Sequence, residues 1–294
     1  MTTVGLLHPG EMGAAVGGCL VAVGHTVLWD PAGRSRASTG RALAAELTGA
    51  GFGPLVSRSE VIFSICPPHA ALDVANQVAD AGFGGLYVDA NAIAVQTAQQ
   101  VAAVVTAGGA DYVDGGIIGP PPEVAGHTRL YLSGPRAREV AVLFRRSALE
   151  ARLADGPAFA ASAVKMAYAA WTKGTSALLL ACRALARAEG VERTLLAEWG
   201  LSQPDLGQRS ERAASAAASK GWRWVGEMEQ IAASMTEAGL PSGFHEAAAD
   251  VFDRVSRGEA PVPLHPRSGG RNGSTGSALD AVISALGHDP SAFT

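Results

Sequence analysis

The sequence contains few cysteines, and those it has are scattered. Cys19, Cys66 and Cys182 form no CxxC pair and show no cysteine–histidine spacing typical of a metal site. Such usage argues against a structural zinc site or a disulfide framework and fits a reducing compartment. We therefore predict a cytoplasmic protein without a bound metal.

Basic runs and long apolar runs are also lacking. The net charge is −4 with a pI near 6.0, which argues against nucleic acid as a partner. No apolar run approaches the ~20 residues of a membrane span, and the N-terminus does not resemble a signal peptide. Hydrophobic residues make up 48% of the sequence, enough for a large buried core. The length of 294 residues predicts about two domains.

Short apolar runs alternate with helical segments as far as Pro157. The runs predicted as strands are Val4–Leu7, His25–Trp29, Glu60–Cys66, Leu86–Asp89, Tyr112–Asp114, Arg129–Ser133 and Ala151–Ala154. The helices predicted between them are Glu11–Val23, Arg36–Leu47, His69–Ala79, Val95–Thr106 and Pro135–Arg145. This rhythm predicts an α/β domain over residues 1–157, a Rossmann-type, doubly wound and mostly parallel sheet.

After Pro157 the pattern predicts helices alone, and we expect residues 158–294 to form an all-α domain. The predicted helices are Ala158–Glu189, Val191–Trp199, Asp205–Ser219, Trp222–Ala238, Ser242–Ser256 and Ser277–Leu286. The segment Arg267–Gly276 is predicted to be a flexible loop.

A turn with two glycines lies between the first strand and the first helix. Gly10 and Gly13 have the spacing of the last two glycines of G-x-G-x-x-G, and His8 takes the place of the first. A helix N-terminus offers free N–H groups and partial positive charge to a pyrophosphate. The alternative is an ordinary turn without a ligand, which the βαβ context disfavours. We predict that the turn stays tight without the first glycine, and that it binds a dinucleotide through His8, Pro9, Gly10, Glu11, Met12 and Gly13.

The residues after the second strand bear on which dinucleotide binds. Asp30 lies where an acidic residue would bind the ribose 2′-hydroxyl of NAD, whereas Arg34, Ser35 and Arg36 suit the 2′-phosphate of NADP. The two interpretations conflict, and the cluster of arginines favours NADP(H) over NAD(H). Asn91 is expected near the nicotinamide ribose. The wall of the cofactor groove is expected to consist of Cys66, Pro67 and Pro68.

Several segments together resemble one family. VGLLHPGEMGAAV and GHTVLWD resemble the start of the β-hydroxyacid dehydrogenases, a group that includes 3-hydroxyisobutyrate and 6-phosphogluconate dehydrogenases and is related to the imine reductases. The segments SICPPHAALDVA, VDANAI, VDGGIIGPPP, SAVKMAYAAW and EMEQIAASMTEAGLP agree in order. The HPGEMG, GRS and GPPP segments are similar to a subgroup that has a C-terminal domain of unknown function. The resemblance implies hydride transfer between a nicotinamide and a small carbonyl, hydroxy or imine substrate.

The same resemblance places the family's catalytic lysine at Lys165, as general acid in reduction and general base in oxidation. Lys165 is also the first lysine of the chain and lies in an alanine-rich apolar helix, where burial disfavours the charged form. The alternative is a lysine that extends into solvent from a helix end. Three family residues are replaced: the asparagine by Ala169, the serine of DxPVSGG by Ile118, and a lysine of the late helix by Gly226. Glu227 keeps that lysine's acidic neighbour.

Other residues on the same helix face are candidates to replace the missing set. Tyr168 and Thr172 follow Lys165 by three and seven residues and therefore share its face. Tyr168 is predicted to donate a proton or orient a carbonyl; the alternative is a core aromatic. Trp222 and Trp224 are predicted to line the substrate pocket or a subunit interface; the alternative is that they pack between helices. The substrate-binding residues are predicted to be Gly116, Ile118, Gly119 and Thr172.

The sequence therefore predicts a homodimeric NADPH-dependent reductase. One alternative is an imine reductase, which the missing serine and asparagine favour and the retained lysine opposes. Another is an NADP-binding redox sensor without catalysis. The remaining one is an α/β scaffold that binds no nucleotide.

Overall fold

The computed structural model describes residues 1–257 and 278–287, and the chain divides into two compact units. The first unit is Met1–Tyr168, and the second begins at Ala169. The division falls inside the helix Ala160–Ala188, whereas the boundary predicted from sequence, between residues 157 and 158, precedes that helix. Lys165 and Tyr168 therefore belong to the first unit.

The first unit is built on an eight-stranded sheet with the strand order β3-β2-β1-β4-β5-β6-β7-β8. Only the β6–β7 pair is antiparallel. The predicted α/β class is confirmed. The strands are β1 Thr3–Leu7, β2 Thr26–Trp29, β3 Thr48–Gly49, β4 Val61–Ser64, β5 Leu86–Asp89, β6 Asp111–Ile118, β7 Thr128–Ser133 and β8 Leu149–Leu153.

Helices connect these strands, and the sheet is buried on both faces. Leu6 and Leu7, neighbours on β1, belong to two different core clusters, because successive side chains of a strand point to opposite faces. Strand order reverses between β1 and β4, the position where open α/β sheets bind ligands. The helices are α1 Glu11–Ala22, α2 Arg36–Ala44, α3 Phe52–Arg58, α4 Ala71–Asp80, α5 Val95–Ala107 and α6 Ala137–Leu143, with a 3₁₀ turn at Pro68–Ala70.

Two elements of this unit have no counterpart in the sequence prediction. Strand β3 has only two residues, too few for a detectable alternation, and is defined by its pairing with Leu28 and Trp29. Helix α3 contains Gly53 and Pro54, a composition typical of loops. Proline is tolerated there because the first-turn N–H groups of a helix have no partner inside the helix.

The described part of the second unit is entirely helical, as predicted. Its helices are the greater part of α7 Ala160–Ala188, then α8 Glu192–Ser202, α9 Leu206–Glu237, α10 Gly243–Arg257 and α11 Ala278–Gly287. None of the described helices combines the length and apolar character that crossing a membrane requires. The predicted loop Arg267–Gly276 lies outside the described residues.

The prediction of two helices on either side of Lys220–Gly221 is wrong. Residues 206–237 form one helix, and Gly221 is buried within it. A methyl group at Gly221 would lie 3.5 Å from Ser256 Oγ and 3.7 Å from the Phe252 carbonyl oxygen of α10. Both distances are ordinary van der Waals contacts, so Gly221 lies in the contact between α9 and α10 and does not end the helix.

Candidate functional site

The turn from His8 to Gly13 connects β1 to α1. His8 has φ +67°, the left-handed conformation that favours glycine, so this histidine occupies the first glycine's backbone geometry. The Gly10 N–H donates to the His8 carbonyl at 2.7 Å. The predicted tight turn is confirmed. Gly10 is the N-cap of α1, and the N–H groups of residues 11–13 project from the helix end.

The two glycines of the turn have different surroundings. A methyl group at Gly13 would lie 2.5 Å from the His8 carbonyl oxygen, so the helix fits against the turn only without a side chain there. At Gly10, no atom of the described residues lies within 4 Å of the corresponding position. The space beside Gly10 is therefore open to a ligand that approaches the backbone, as a pyrophosphate would.

The His8 imidazole is neutral at neutral pH. Its pKa is lowered to about 4, first because the ring is largely buried and second because the Arg34 guanidinium is nearby. Its Nδ1 atom is buried and has no hydrogen-bond partner among the described residues. The positive charge at this turn therefore comes from Arg34 and the end of α1.

The loop after β2 brings Arg34 to the same edge of the sheet. Arg34 Nε donates to the Asp30 carbonyl at 3.4 Å, and Asp30 Oδ1 accepts the Ala32 N–H at 3.0 Å. One oxygen of the Asp30 carboxylate is thus used within its own loop. Ser35 Oγ caps α2 by accepting the Ser38 N–H at 3.1 Å, and Arg36 is exposed at the start of that helix.

The Asn91 side chain holds together the ends of β4 and β5. Its Oδ1 accepts the Cys66 N–H at 2.6 Å, and its Nδ2 donates to Ser64 Oγ at 3.0 Å. Asn91 is 2% exposed, so it shapes the groove through the backbone of Cys66. Burial raises the pKa of the Cys66 thiol to about 12, so this groove wall is uncharged.

Four polar side chains form a row across the sheet beneath this edge. Ser64, Asp89, Asp114 and Ser133 are register partners on β4, β5, β6 and β7, and all are buried. We call them the polar row. Burial and the neighbouring Asp114 raise the pKa of Asp89 to about 7, although the Asn91 N–H bond to Asp89 Oδ1 opposes the shift. Asp89 Oδ2 has no partner among the described residues.

Glycines let the carboxyl end of β6 approach its neighbours. A methyl group at Gly116 would lie 2.6 Å from the Ala161 carbonyl oxygen and 2.9 Å from Lys165 Cβ. A methyl group at Gly115 would lie 2.9 Å from the Asp89 carbonyl oxygen. Gly119 has φ +124°, a conformation that side chains rarely adopt. The α7 segment that carries Lys165 therefore packs directly on β6.

The remaining predicted residues are placed as follows. Lys165 is half-buried, whereas Tyr168 is 47% exposed, which excludes a core aromatic. Ile118 is buried at the end of β6. Thr172 lies in the second unit and lines a cavity of about 340 Å³ with α7 and α9 residues that include Thr175, Arg209 and Arg212.

In the second unit the two tryptophans differ. Trp224 packs edge-on against Phe252 with ring centroids 5.0 Å apart, so it joins α9 to α10. Trp222 is 63% exposed. Glu227 Oε2 pairs with Lys173 Nζ at 3.2 Å. Sequence reasoning did not single out Lys173.

Among the predicted residues, the structure brings together the turn 8–13, the Asp30–Ser35 loop, Cys66–Pro68 and Asn91, since all follow carboxyl ends of adjacent parallel strands. Sequence reasoning missed Asp89, Asp114, Ser133 and Ser162. Aspartates that end apolar strand segments, in LYVD and DYVD, were the available signal. Their alignment in one row depends on strand register.

Comparisons with known proteins agree with this architecture. Residues 186–255 match a family model described as a domain of unknown function, DUF1932. No curated protein matches the chain.

Three solved structures share the fold. The conserved protein MTH1747 of unknown function, described as structurally similar to 3-hydroxyacid dehydrogenases, is 25% identical with a TM-score of 0.65, over 86% of this chain and 96% of that one. A Mycobacterium tuberculosis 3-hydroxyisobutyrate dehydrogenase solved with L-serine is 18% identical with a TM-score of 0.68, over 97% and 99%. An Aspergillus terreus reductive aminase solved with NADPH and ethyl levulinate is 19% identical with a TM-score of 0.55, over 98% and 99%. The chain is thus β-hydroxyacid dehydrogenase-like in fold, with a C-terminal DUF1932 region, as the sequence resemblance predicted.

Proposed function

We propose that this protein is an NADP-dependent oxidoreductase that transfers a hydride between the nicotinamide and a small carbonyl or hydroxy substrate. The observation that carries the proposal is the open space beside the Gly10 backbone. Gly10 lies at the N-terminal end of α1, where the strand order reverses between β1 and β4. This geometry suits a pyrophosphate, which needs close backbone approach, free N–H groups and the positive end of a helix.

The preference for NADP over NAD rests on Arg34. This arginine is half-buried beside the turn, and its guanidinium can bind a 2′-phosphate with two parallel hydrogen bonds. One Asp30 oxygen is already used by Ala32, which weakens that carboxylate as a receptor for a ribose hydroxyl.

Lys165 is the proposed general acid. When bound, the nicotinamide supplies or accepts the hydride. Lys165 donates a proton to the substrate oxygen during reduction and removes it during oxidation. The Lys165 Cβ packs beside Gly116, which limits the motion of the Cα–Cβ end of the side chain. Proton transfer requires such a positioned side chain. Tyr168, one helical turn further along and half exposed, is a second candidate to orient the substrate.

Imine reduction is the second candidate. Ala169 is fully buried and Ile118 is 5% exposed, so the two positions that replace the family's asparagine and serine are apolar. Neither side chain can bind a hydroxycarboxylate by hydrogen bonds, so Ile118 could contribute only its backbone groups. The fold is shared with a reductive aminase that was solved with NADPH.

The test is a fluorescence titration with NADPH and NADH, followed by turnover assays on hydroxyacids, ketones, aldehydes and cyclic imines. We expect NADPH to bind more tightly than NADH. Arg34→Ala should weaken NADPH at least tenfold and NADH by a clearly smaller factor, because NADH loses only the positive charge that Arg34 supplies at the turn. Arg58→Ala is the matched control, because Arg58 is an exposed arginine at the end of α3 and precedes β4 instead of following the carboxyl end of a strand; it should change neither affinity much.

Failure of both nucleotides to bind would exclude the proposal. Binding without turnover of any substrate would favour the sensor alternative. If a substrate is found, Lys165→Ala should lower kcat at least 100-fold, since general acid–base catalysis contributes about 10²- to 10⁴-fold. Near-native turnover by that variant would exclude Lys165 as the proton donor. The predicted homodimer stays a prediction.

A further inference from the structure

The first turn of α7 is capped by side chains of the sheet. The Ala160 N–H donates to the Pro157 carbonyl, and the Ala163 N–H to that of Phe159. The two N–H groups between them reach the polar row: Ala161 N–H donates to Ser133 Oγ at 3.1 Å, and Ser162 N–H to Asp114 Oδ2 at 2.9 Å. All four are thus paired, two of them by residues distant in sequence.

Asp114 is the centre of this cap. Its Oδ1 accepts from Ser162 Oγ, and its Oδ2 accepts from Ser133 Oγ at 2.7 Å as well as from the Ser162 N–H. Asp114 is fully buried, and Ser162 is 1% exposed. A buried carboxylate with three donors at a helix N-terminus is stabilised both by the hydrogen bonds and by the helix dipole.

The same two elements meet again at Lys165. Gly116 follows Asp114 by two residues on β6, and Lys165 follows Ser162 by three residues on α7. Residues i and i+2 share one face of a strand, and residues i and i+3 share one face of a helix. The Asp114–Ser162 bonds and the Gly116–Lys165 packing are therefore successive contacts along one β6–α7 interface.

We propose that Asp114 is a positioning residue for Lys165. Through Ser162 and Ser133 it fixes the first turn of α7 on β6, and this keeps the Cβ atom of Lys165 next to Gly116. The inference rests on the proposed function in that Lys165 is the general acid. Asp114 itself takes no proton from the substrate.

The chain offers a direct spectroscopic test, because its lysines are Lys165, Lys173 and Lys220 alone. Reductive ¹³C-methylation of the full chain gives one signal set for each lysine, and Lys165→Arg assigns the first. Asp114→Asn removes the charge and one acceptor at nearly constant volume. Asp111→Asn is the matched control, since Asp111 is an exposed carboxylate on the same strand and pairs with Arg136.

We expect Asp114→Asn to move the Lys165 signal while those of Lys173 and Lys220 stay in place, and to speed amide exchange at residues 161–165 at least tenfold. Asp111→Asn should do neither. Once a substrate is known, Asp114→Asn should lower kcat at least tenfold with the Kd for NADPH changed less than twofold. A purely structural role would instead move all three lysine signals together or leave kcat unchanged in the folded protein.

If Asp114→Asn does not fold, Ser162→Ala provides the second variant, because it removes one donor and leaves the carboxylate and the backbone N–H in place. A folded variant of either kind in which the Lys165 signal and local amide exchange match wild type would overturn the proposal. NADPH titration of the wild type separates the two inferences: absence of binding refutes the oxidoreductase, whereas the Lys165 response to Asp114→Asn reports only on positioning.

Discussion

Glycine-to-alanine substitutions at Gly13 and at Gly10 test stability and nucleotide binding separately in the turn from His8 to Gly13. Gly13→Ala places a methyl group 2.5 Å from the His8 carbonyl oxygen, so the turn or α1 must shift. Overpacking of this kind costs about 1–3 kcal/mol, of which alanine's higher helix propensity returns about 0.5–1 kcal/mol. Because the neighbour is a backbone oxygen, we expect the upper part of this range, about 2–3 kcal/mol, and hence a net loss of about 1–2.5 kcal/mol. At about 2–4 °C for each kcal/mol, the melting temperature should fall by roughly 2–10 °C.

Gly10→Ala should behave in the opposite way. In the part of the chain that the structure describes, no atom lies within 4 Å of the added methyl group, and the Gly10 φ of −67° is accessible to alanine. The free energy of unfolding should therefore change by less than about 1 kcal/mol, the difference between glycine and alanine at an N-cap. The methyl group does, however, enter the space in which we propose that the pyrophosphate binds, and we expect the Kd for NADPH to rise at least tenfold.

The assay is thermal unfolding of both variants beside a fluorescence titration with NADPH. Wild-type affinity in Gly10→Ala would refute the reasoning that the phosphates approach the backbone there. Wild-type stability in Gly13→Ala would show that the contact between α1 and the turn is not as close as the structure indicates.

Three further outcomes are expected. His8→Gly should raise the free energy of unfolding in urea by up to about 1.5 kcal/mol, because it relieves a left-handed conformation that costs about 1–2 kcal/mol and adds glycine's entropy cost of about 0.5–1 kcal/mol; a clear loss would mean that the buried imidazole stabilises the turn. Asp89→Asn should gain stability over wild type as pH rises from about 4 to about 7. The pKa of Asp89, which faces Asp114, Tyr87, Tyr112 and Cys66, is raised to about 7, so wild type loses stability across this window, by up to about 4 kcal/mol at about 1.4 kcal/mol per pKa unit; parallel pH–stability curves in urea would contradict this. Gly116→Ala should reduce thermal stability and slow turnover, since the methyl group displaces α7, whereas Gly200→Ala at an exposed position of α8 should leave turnover unchanged.

The order of strands and helices in the first unit was largely predictable. Segments such as VGLL and HTVLW are short, apolar and bounded by turn residues, and the helices between them carry their own start and stop signals. The tight turn at His8–Gly13 was also predictable, because glycine spacing and the strand–helix context are local features.

Features that depend on pairing across the chain were not predictable. Strand β3 exists because two residues pair with β2, and Gly221 stays inside α9 because α10 packs against it. The helix α7 lacks a capping serine or aspartate of its own at its start. Its cap comes from Ser133 and Asp114, which lie 28 and 48 residues before the N–H groups that they bind.

The sequence by itself determined the α/β class and the tight turn at His8–Gly13, and it singled out the lysine that we propose as general acid, since these features are contained in local periodicity, in glycine spacing or in a motif. Only the tertiary structure decided how Lys165 is held, because the polar row is formed by strand register, and register joins residues whose separation along the chain carries no local signal. The same register places two buried carboxylates side by side at the carboxyl edge of the sheet, and it thereby sets the protonation of Asp89 and the cap of α7.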